Sequence, residues 1–215
     1  MTDTIFRAVI FDLGGVLFSS PLPAIAGYEK KAGLPAGLIG RLANENGSDS
    51  LWAQLERGEL EAEVFGAQFS QLARTAGHKL NGLTLLDRIW TEIVIRKEML
   101  NAVRRLRSAG FRTAALTNAW MTPNRPSHIE PVRPEFDCVL ESFCLAMRKP
   151  ERRIYELACR WLAVTPKETV FLDDFGTNLK PAKAMGMTTL KVADPDVAIA
   201  ELERLVGVQL HAHEF

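Results

Sequence analysis

Residues 8–15 read Ala8-Val9-Ile10-Phe11-Asp12-Leu13-Gly14-Gly15, four consecutive apolar side chains that stop at a carboxylate and a paired-glycine turn. An unbroken apolar run of this kind suits a strand buried on both faces of a parallel sheet, whereas a half-exposed strand alternates. Similar segments return late in the chain at Thr113–Leu116, Thr169–Leu172 and Thr188–Val192. A helix-like stretch with its own stop signal precedes each: Asn101–Ala109 ends at Gly110, Arg153–Ala163 near Pro166, and Leu179–Met185 at Gly186. Strands alternating with helices imply right-handed crossovers and an α/β fold, a parallel sheet with helices on both faces.

Between about Phe18 and Arg96 the pattern changes to short amphipathic stretches divided by glycine and proline. Helices are expected over Leu22–Ala32, Pro35–Asn44, Asp49–Arg57, Ala62–Ala76 and Leu83–Thr91, with Val64, Phe65, Phe69, Leu72 and Ala76 on one interior face. These residues read as an all-helical insert in the first crossover of the sheet. Residues 121–136 carry Pro123, Pro126, Pro131 and Pro134 and are expected to form an irregular loop.

Composition narrows the function. The 215 residues are 47% apolar and 24% charged, which fits a folded globular chain rather than a disordered or fibrous one. Lys and Arg (26) balance Asp and Glu (26), so no global field draws in nucleic acid or anionic membrane. Cys138, Cys144 and Cys159 form no CxxC pair and leave an odd count, which points to a reducing cytoplasm rather than a disulfide framework or zinc cage. The opening MTDTIFRAVIFDLGG does not read as a signal peptide, and no run approaches the roughly 18 apolar residues of a membrane span.

In parallel sheets ligands bind beyond the carboxyl ends of the strands, where strand order reverses. The first strand delivers Asp12 there, the strand ending at Leu116 delivers Thr117 and Asn118, and the strand ending at Leu172 delivers Asp173 and Asp174. Lys149 lies in Met147-Arg148-Lys149-Pro150, just ahead of a helix. Taken singly, each is ordinary: a strand-end Asp caps or turns, and a lone Lys is solvated. As an ordered set they describe chemistry. Close carboxylates repel by roughly 4 kcal/mol per pair at an effective dielectric near 20, so they raise one another's pKa values or recruit a cation. Mg²⁺ is the hard, oxygen-preferring choice where phosphate is also handled. Lys149 and the Thr117 hydroxyl could cradle a phosphoryl group, and Asp12 could attack phosphorus to give an aspartyl-phosphate.

The motif order resembles the haloacid dehalogenase-like hydrolase superfamily. Within it the chain is similar to the phosphatase-like N-terminal domain of soluble epoxide hydrolases and to the related domain fused to some acyl-CoA dehydrogenases. The likeness runs through AVIFDLGGVLF (8–18), ALTNAW (115–120), RKPERRIYELA (148–158) and VFLDDFGTNLKPAKAMGMTTLKV (170–192), and on into the final helix. It implies a Rossmann-like core of residues 1–17 and 97–215, with residues 18–96 as a helical cap. Asp12 would be nucleophile and Mg²⁺ ligand, with the Gly14 carbonyl as a second ligand. Thr117 and Asn118 would bind phosphoryl oxygens, and Lys149 would bridge nucleophile and phosphoryl group. Asp174 would ligate the metal with Asp173 beside it, and Asn178 would steady this acidic loop.

One departure stands out. Phosphatases of the superfamily usually carry a general acid two residues after the nucleophile, and here that position is Gly14. Losing such a group typically costs about 10²- to 10⁴-fold. Three readings follow: substrates whose leaving group needs little protonation, another group or a water as acid, or a phospholigand-binding module with weak turnover. A 2-haloacid dehalogenase is a rival that needs no acid at Gly14, although the Asp173-Asp174 pair argues against it. His128, in the proline-rich loop, is a candidate substitute acid. Trp120 lines the cleft mouth or packs in the core. Arg41 and Arg57 contact substrate or lie on solvated helix faces, and His78, His211 and His213 are expected at the surface. The expected substrate is a small phosphorylated metabolite or a lipid phosphate, and the periodicities leave the oligomeric state open.

Overall fold

The computed structural model describes residues 5–122 and 127–211. The chain runs through β1 (Ala8–Phe11), then five helices, α1 (Leu22–Lys31), α2 (Leu38–Ala43), α3 (Leu51–Glu56), α4 (Ala62–Thr75) and α5 (Gly82–Thr91). It continues through α6 (Lys97–Ser108), β2 (Arg112–Thr117), β3 (Cys138–Glu141), α7 (Ser142–Leu145), α8 (Arg152–Leu162) and β4 (Thr169–Asp173). The last elements are α9 (Gly176–Ala184), β5 (Thr188–Lys191) and α10 (Pro195–Val206).

All five strands pair in parallel in the order β3-β2-β1-β4-β5. The apolar run of β1 is central, and each of its residues is fully buried. Alternation sends Val9 and Phe11 to one face, where Met99, Val103 and Leu106 of α6 and Ile199 and Leu202 of α10 cover them. Ala8 and Ile10 point to the other face, against Ile154, Tyr155 and Ala158 of α8 and Ala182 of α9. The chain visits β2 and β3 on one side of β1 and then β4 and β5 on the other, so strand order reverses between β1 and β4.

The strand β3 was not expected from the sequence. It is a four-residue edge strand in which only Leu140 is buried, so it lacks the apolar run that marks the central strands. The short helix α7 follows it directly. Both elements follow the expected irregular region 121–136, of which residues 127–136 contain one turn of 3₁₀ helix at Arg133–Glu135.

The helices α1–α5 enclose an apolar cluster of their own, centred on Ile39, Leu55, Phe65, Phe69, Leu85 and Ile89. Phe65 and Phe69 stack at 5.0 Å, and Trp52 meets both edge-on. Ser50 caps α3 through the Ala53 N–H at 3.1 Å, and Asn81 caps α5 through the Thr84 N–H at 2.9 Å. Helices α4 and α5 touch backbone to backbone: a Cβ on Gly82 would lie 2.6 Å from the Gly66 carbonyl oxygen.

Candidate active site

The register of the sheet places the polar residues that end β1, β2 and β4 along one edge. Phe11 pairs with Ala115 and with Leu172, so Asp12, Thr117 and Asp173 emerge together at the carboxyl ends. The Asp12 amide donates to the Leu172 carbonyl at 2.9 Å, which ties the residue to the switch point. Oxygen atoms of Asp12, Asp173 and Asp174 all lie within 4.8 Å of one another.

Lys149 closes this cluster. It reaches in from the loop ahead of α8 and is 1% exposed. Its Nζ lies 2.7 Å from Asp12 Oδ1 and 2.7 Å from Asp173 Oδ2. Asp173 has further partners: the Phe175 N–H donates to Oδ1 at 2.8 Å, and Asn178 Nδ2 lies 3.0 and 3.1 Å from its two oxygens. Asn178 is itself held, because its carbonyl oxygen accepts from the buried Tyr155 hydroxyl at 2.8 Å. Asp173 is therefore saturated.

Asp174 is not saturated. Its Oδ1 is buried with no hydrogen-bond partner. Burial, reinforced by the charge of Asp173, pushes its carboxyl up to about 6. Burial likewise drives Asp12 well above the usual carboxylate range, although Lys149 opposes it. Burial pulls Lys149 down, but Asp12 and Asp173 outweigh it and hold the ammonium above its ordinary value. Once ionised, the three carboxylates outnumber the Lys149 ammonium, and the charge of Arg96 relieves Asp174 only in part. A buried unpartnered oxygen beside this excess of negative charge fits a divalent, oxygen-seeking cation. The turn before it leaves room for nothing larger than glycine: a Cβ on Gly15, whose φ is +81°, would lie 2.2 Å from Asp174 Oδ2.

Thr117 is buried at the end of β2, beside Asn118. The Asn118 amide grips the backbone of Lys149 on both sides, accepting from its N–H at 2.9 Å and donating to its carbonyl at 2.9 Å. Beyond these residues opens a cavity of about 660 Å³ between the sheet edge and the helical insert. Asp12, Gly14, Thr117, Asn118, Lys149 and Asn178 lie on its wall.

Trp120 lines the cavity and packs its ring 6.0 Å from Trp52, joining the apolar cluster of the insert. His128 also lines the cavity, with its Nε2–H donating to the Trp90 carbonyl at 2.8 Å and its ring 4.3 Å from that of Trp90. Arg57 is turned to Glu59 and the Ser48 carbonyl, and exposed Arg41 lies near the Ala36 carbonyl. His78 and His211 are both half-buried rather than exposed, and His211 Nδ1 sits 3.2 Å from Glu203. Pro123, Pro126 and His213 lie outside the described residues.

Glu56 and Arg148 also take part in the site. Glu56, at the end of α3, bonds the side chains of Arg148, Asn118 and Trp52. Arg148 was legible only as the neighbour of Lys149. Nothing local marks Glu56, which lies 62 residues from Asn118 and 92 from Arg148.

The model of the haloacid dehalogenase-like hydrolases matches residues 6–186. The chain belongs to that family. It is 36% identical over 213 residues to acyl-CoA dehydrogenase family member 10 of Mus musculus, which covers 96% of this chain and 20% of that protein. It is 36% identical over 222 residues to bifunctional epoxide hydrolase 2 of Sus scrofa, 95% of this chain and 39% of that protein. It therefore spans well under half the length of either relative. Sesquiterpene phosphatase AstK of Aspergillus oryzae is 30% identical over 211 residues, covering 95% of this chain and 98% of that protein. The family's fold recurs in a solved enzyme of Bacteroides thetaiotaomicron in complex with magnesium and inorganic phosphate. That structure has a TM-score of 0.58 and 23% identity, over 86% of this chain and 93% of the other. The chain is thus a hydrolase of this family with relatives named as phosphatases. Among the described residues no helix is long and apolar enough to cross a membrane.

Proposed function

We propose that the chain is a Mg²⁺-dependent phosphatase that hydrolyses a phosphate monoester or acyl phosphate through an aspartyl-phosphate on Asp12. The observation that carries this reading is the pairing of a saturated and an unsaturated carboxylate: Asp173 is fully engaged with Lys149 and Asn178, while buried Asp174 Oδ1 has no partner. Asp12, Asp174 and the Gly14 carbonyl would hold the metal, with Asp173 behind them. Bound there, Mg²⁺ supplies charge neutralisation at the phosphoryl oxygens.

This chain's residues do the rest. An Asp12 carboxylate oxygen forms the new P–O bond as the ester P–O bond breaks, and the leaving oxygen departs with its electron pair. The Lys149 ammonium, fixed against Asp12 Oδ1, offsets charge on nucleophile and phosphoryl group alike. The Thr117 hydroxyl and the Asn118 backbone N–H bind the remaining phosphoryl oxygens, since the Asn118 side-chain amide is taken up by Lys149 and Glu56. Water then cleaves the acyl phosphate and regenerates Asp12, releasing inorganic phosphate. With glycine at position 14, the leaving oxygen takes its proton from water, so acyl phosphates turn over faster than alkyl phosphates.

Residues 18–96 act as the cap that excludes water, and residues 1–17 and 97–215 as the core. The cavity wall is rich in apolar groups, including Ile25, Ile39, Trp52, Trp90, Trp120 and Phe143. An apolar alcohol carrying a single phosphate fits this wall better than a polyanion, which agrees with the likeness to a sesquiterpene phosphatase. A cytoplasmic setting suits the three unpaired thiols.

The test is hydrolysis of p-nitrophenyl phosphate and acetyl phosphate with Mg²⁺ or EDTA, with Asp12→Asn as control. Turnover that needs Mg²⁺ and falls about 10⁴-fold or more in the variant is expected. Turnover that survives EDTA would sink the reading, and release of halide from a 2-haloacid would replace it with dehalogenation.

A further inference from the structure

Within the cavity wall, one acidic side chain comes from the helical insert and touches the two loops that carry the phosphoryl-binding residues. Glu56, the last residue of α3, is 7% exposed. Its Oε2 accepts from Arg148 Nε at 2.5 Å and from Asn118 Nδ2 at 3.1 Å, and its Oε1 accepts from Trp52 Nε1 at 3.1 Å. Three donors converge on one carboxylate, an arrangement whose charge-assisted bonds are about twice as strong as neutral ones.

Asn118 can present its amide only one way round, because Nδ2 must face both Glu56 and the Lys149 carbonyl while Oδ1 receives the Lys149 N–H. That clamp fixes the backbone from which the Lys149 ammonium reaches Asp12 and Asp173. The second partner, Arg148, directly precedes Lys149 and lines the same cavity, so its guanidinium would compete for phosphate if it lacked a counter-ion. The insert is also seated tightly here. A Cβ on Gly58 would lie 2.6 Å from the Phe143 carbonyl oxygen, which brings the end of α3 into backbone contact with α7.

We propose that Glu56 is a positioning residue: it orients the Asn118 amide that clamps Lys149, and it keeps Arg148 from acting as a second anion site. Docking of the insert thereby sets the geometry of the reacting lysine. The inference rests on the phosphatase reading above.

Glu56→Gln keeps the size of the side chain and removes its charge. Glu59→Gln, which removes an exposed carboxylate three residues along that faces Arg57, is the control and leaves kcat unchanged. For p-nitrophenyl phosphate, kcat of Glu56→Gln should fall about 10- to 100-fold, the cost of slight misplacement in a preorganised site. Inhibition by inorganic phosphate should tighten several-fold, because Arg148 has lost its counter-ion. Glu56→Gln combined with Arg148→Met should return phosphate inhibition to the wild-type level while kcat stays low. A purely structural role predicts lower Tm and weaker phosphate binding, and that result would overturn the proposal. So would kcat and phosphate inhibition equal to those of Glu59→Gln. If Glu56→Gln does not fold, Glu56→Asp serves: it keeps the charge but is one methylene short, so kcat should fall, and wild-type kcat would refute the idea. A wild type inert towards every phosphate ester would remove the phosphatase reading and this inference with it. A working wild type with an unaffected Glu56→Gln would remove the inference alone.

Discussion

Asp174→Asn should make the metal-free protein more stable while removing its response to Mg²⁺. In the absence of a cation, Asp174 carries a buried carboxylate oxygen without a partner, beside the charge of Asp173. Its carboxyl is pushed up to about 6, against an ordinary value near 4, and each pKa unit is worth about 1.4 kcal/mol. Ionising it at pH 7.5 would therefore cost close to 3 kcal/mol if it were fully shielded. The side chain is only partly buried, and solvent screening reduces this to roughly 1–2 kcal/mol. At about 2–4 °C per kcal/mol for a chain of this size, Asp174→Asn should melt roughly 2–8 °C above wild type in EDTA. The sign carries a pH signature. A raised carboxyl binds its proton more tightly in the folded state, so metal-free wild type loses stability as pH climbs from near 4 through about 6. The variant lacks that component, and the gap between the two should close below pH 4. Saturating Mg²⁺, at about 100 times its dissociation constant, should then add about 2.7 kcal/mol to wild type and little to the variant. Thermal melts followed by circular dichroism, in EDTA and in Mg²⁺ across this pH range, read all of these effects. A variant less stable than wild type in EDTA, or one stabilised equally by Mg²⁺, would refute the reasoning.

Three further outcomes are expected. Gly15→Ala places a Cβ 2.2 Å from Asp174 Oδ2 on a residue with φ of +81°, so left-handed strain of about 1–2 kcal/mol should lower Tm, and displaced Asp174 should cut Mg²⁺-dependent turnover. Gly14→Asp meets only Pro21 Cδ, at 3.9 Å from its Cβ, so it should fold normally and raise alkyl phosphate turnover roughly 10-fold or more relative to acetyl phosphate; an unchanged ratio in competition assays would rule out a missing acid as the constraint. Phe69→Ala removes a fully buried ring stacked on Phe65, which should cost about 3–5 kcal/mol and appear as a matching loss in denaturant midpoint.

The elements were largely legible because their signals are local. The apolar run at Ala8–Phe11 is the central strand, and the five helices expected between Leu22 and Thr91 all form, with ends shifted by at most three residues. Helical periodicity places Val64, Phe65, Phe69, Leu72 and Ala76 on one interior face. Phe65 and Phe69 are fully buried and Leu72 half-buried, but Val64, one position before Phe65, and Ala76, past the end of α4, are exposed. The edge strand Cys138–Glu141 was not legible, because a strand that needs burial on one residue alone has no apolar run to announce it.

Which residues end each central strand was readable along the chain, and with it that Asp12, Thr117, Asn118, Asp173 and Asp174 face one edge of a parallel sheet. Strand order and register came from the structure alone, because the central strands are buried on both faces and the edge strand β3 has no apolar run to announce it. How the charges are shared emerges only once the layers pack. Asp173 is saturated by Lys149 and Asn178, Asp174 keeps a bare oxygen, and Glu56 crosses from the insert to Asn118 and Arg148. Those partnerships join residues up to 92 positions apart, and they depend on how layers pack and which side chains arrive within 3 Å, which no local pattern encodes.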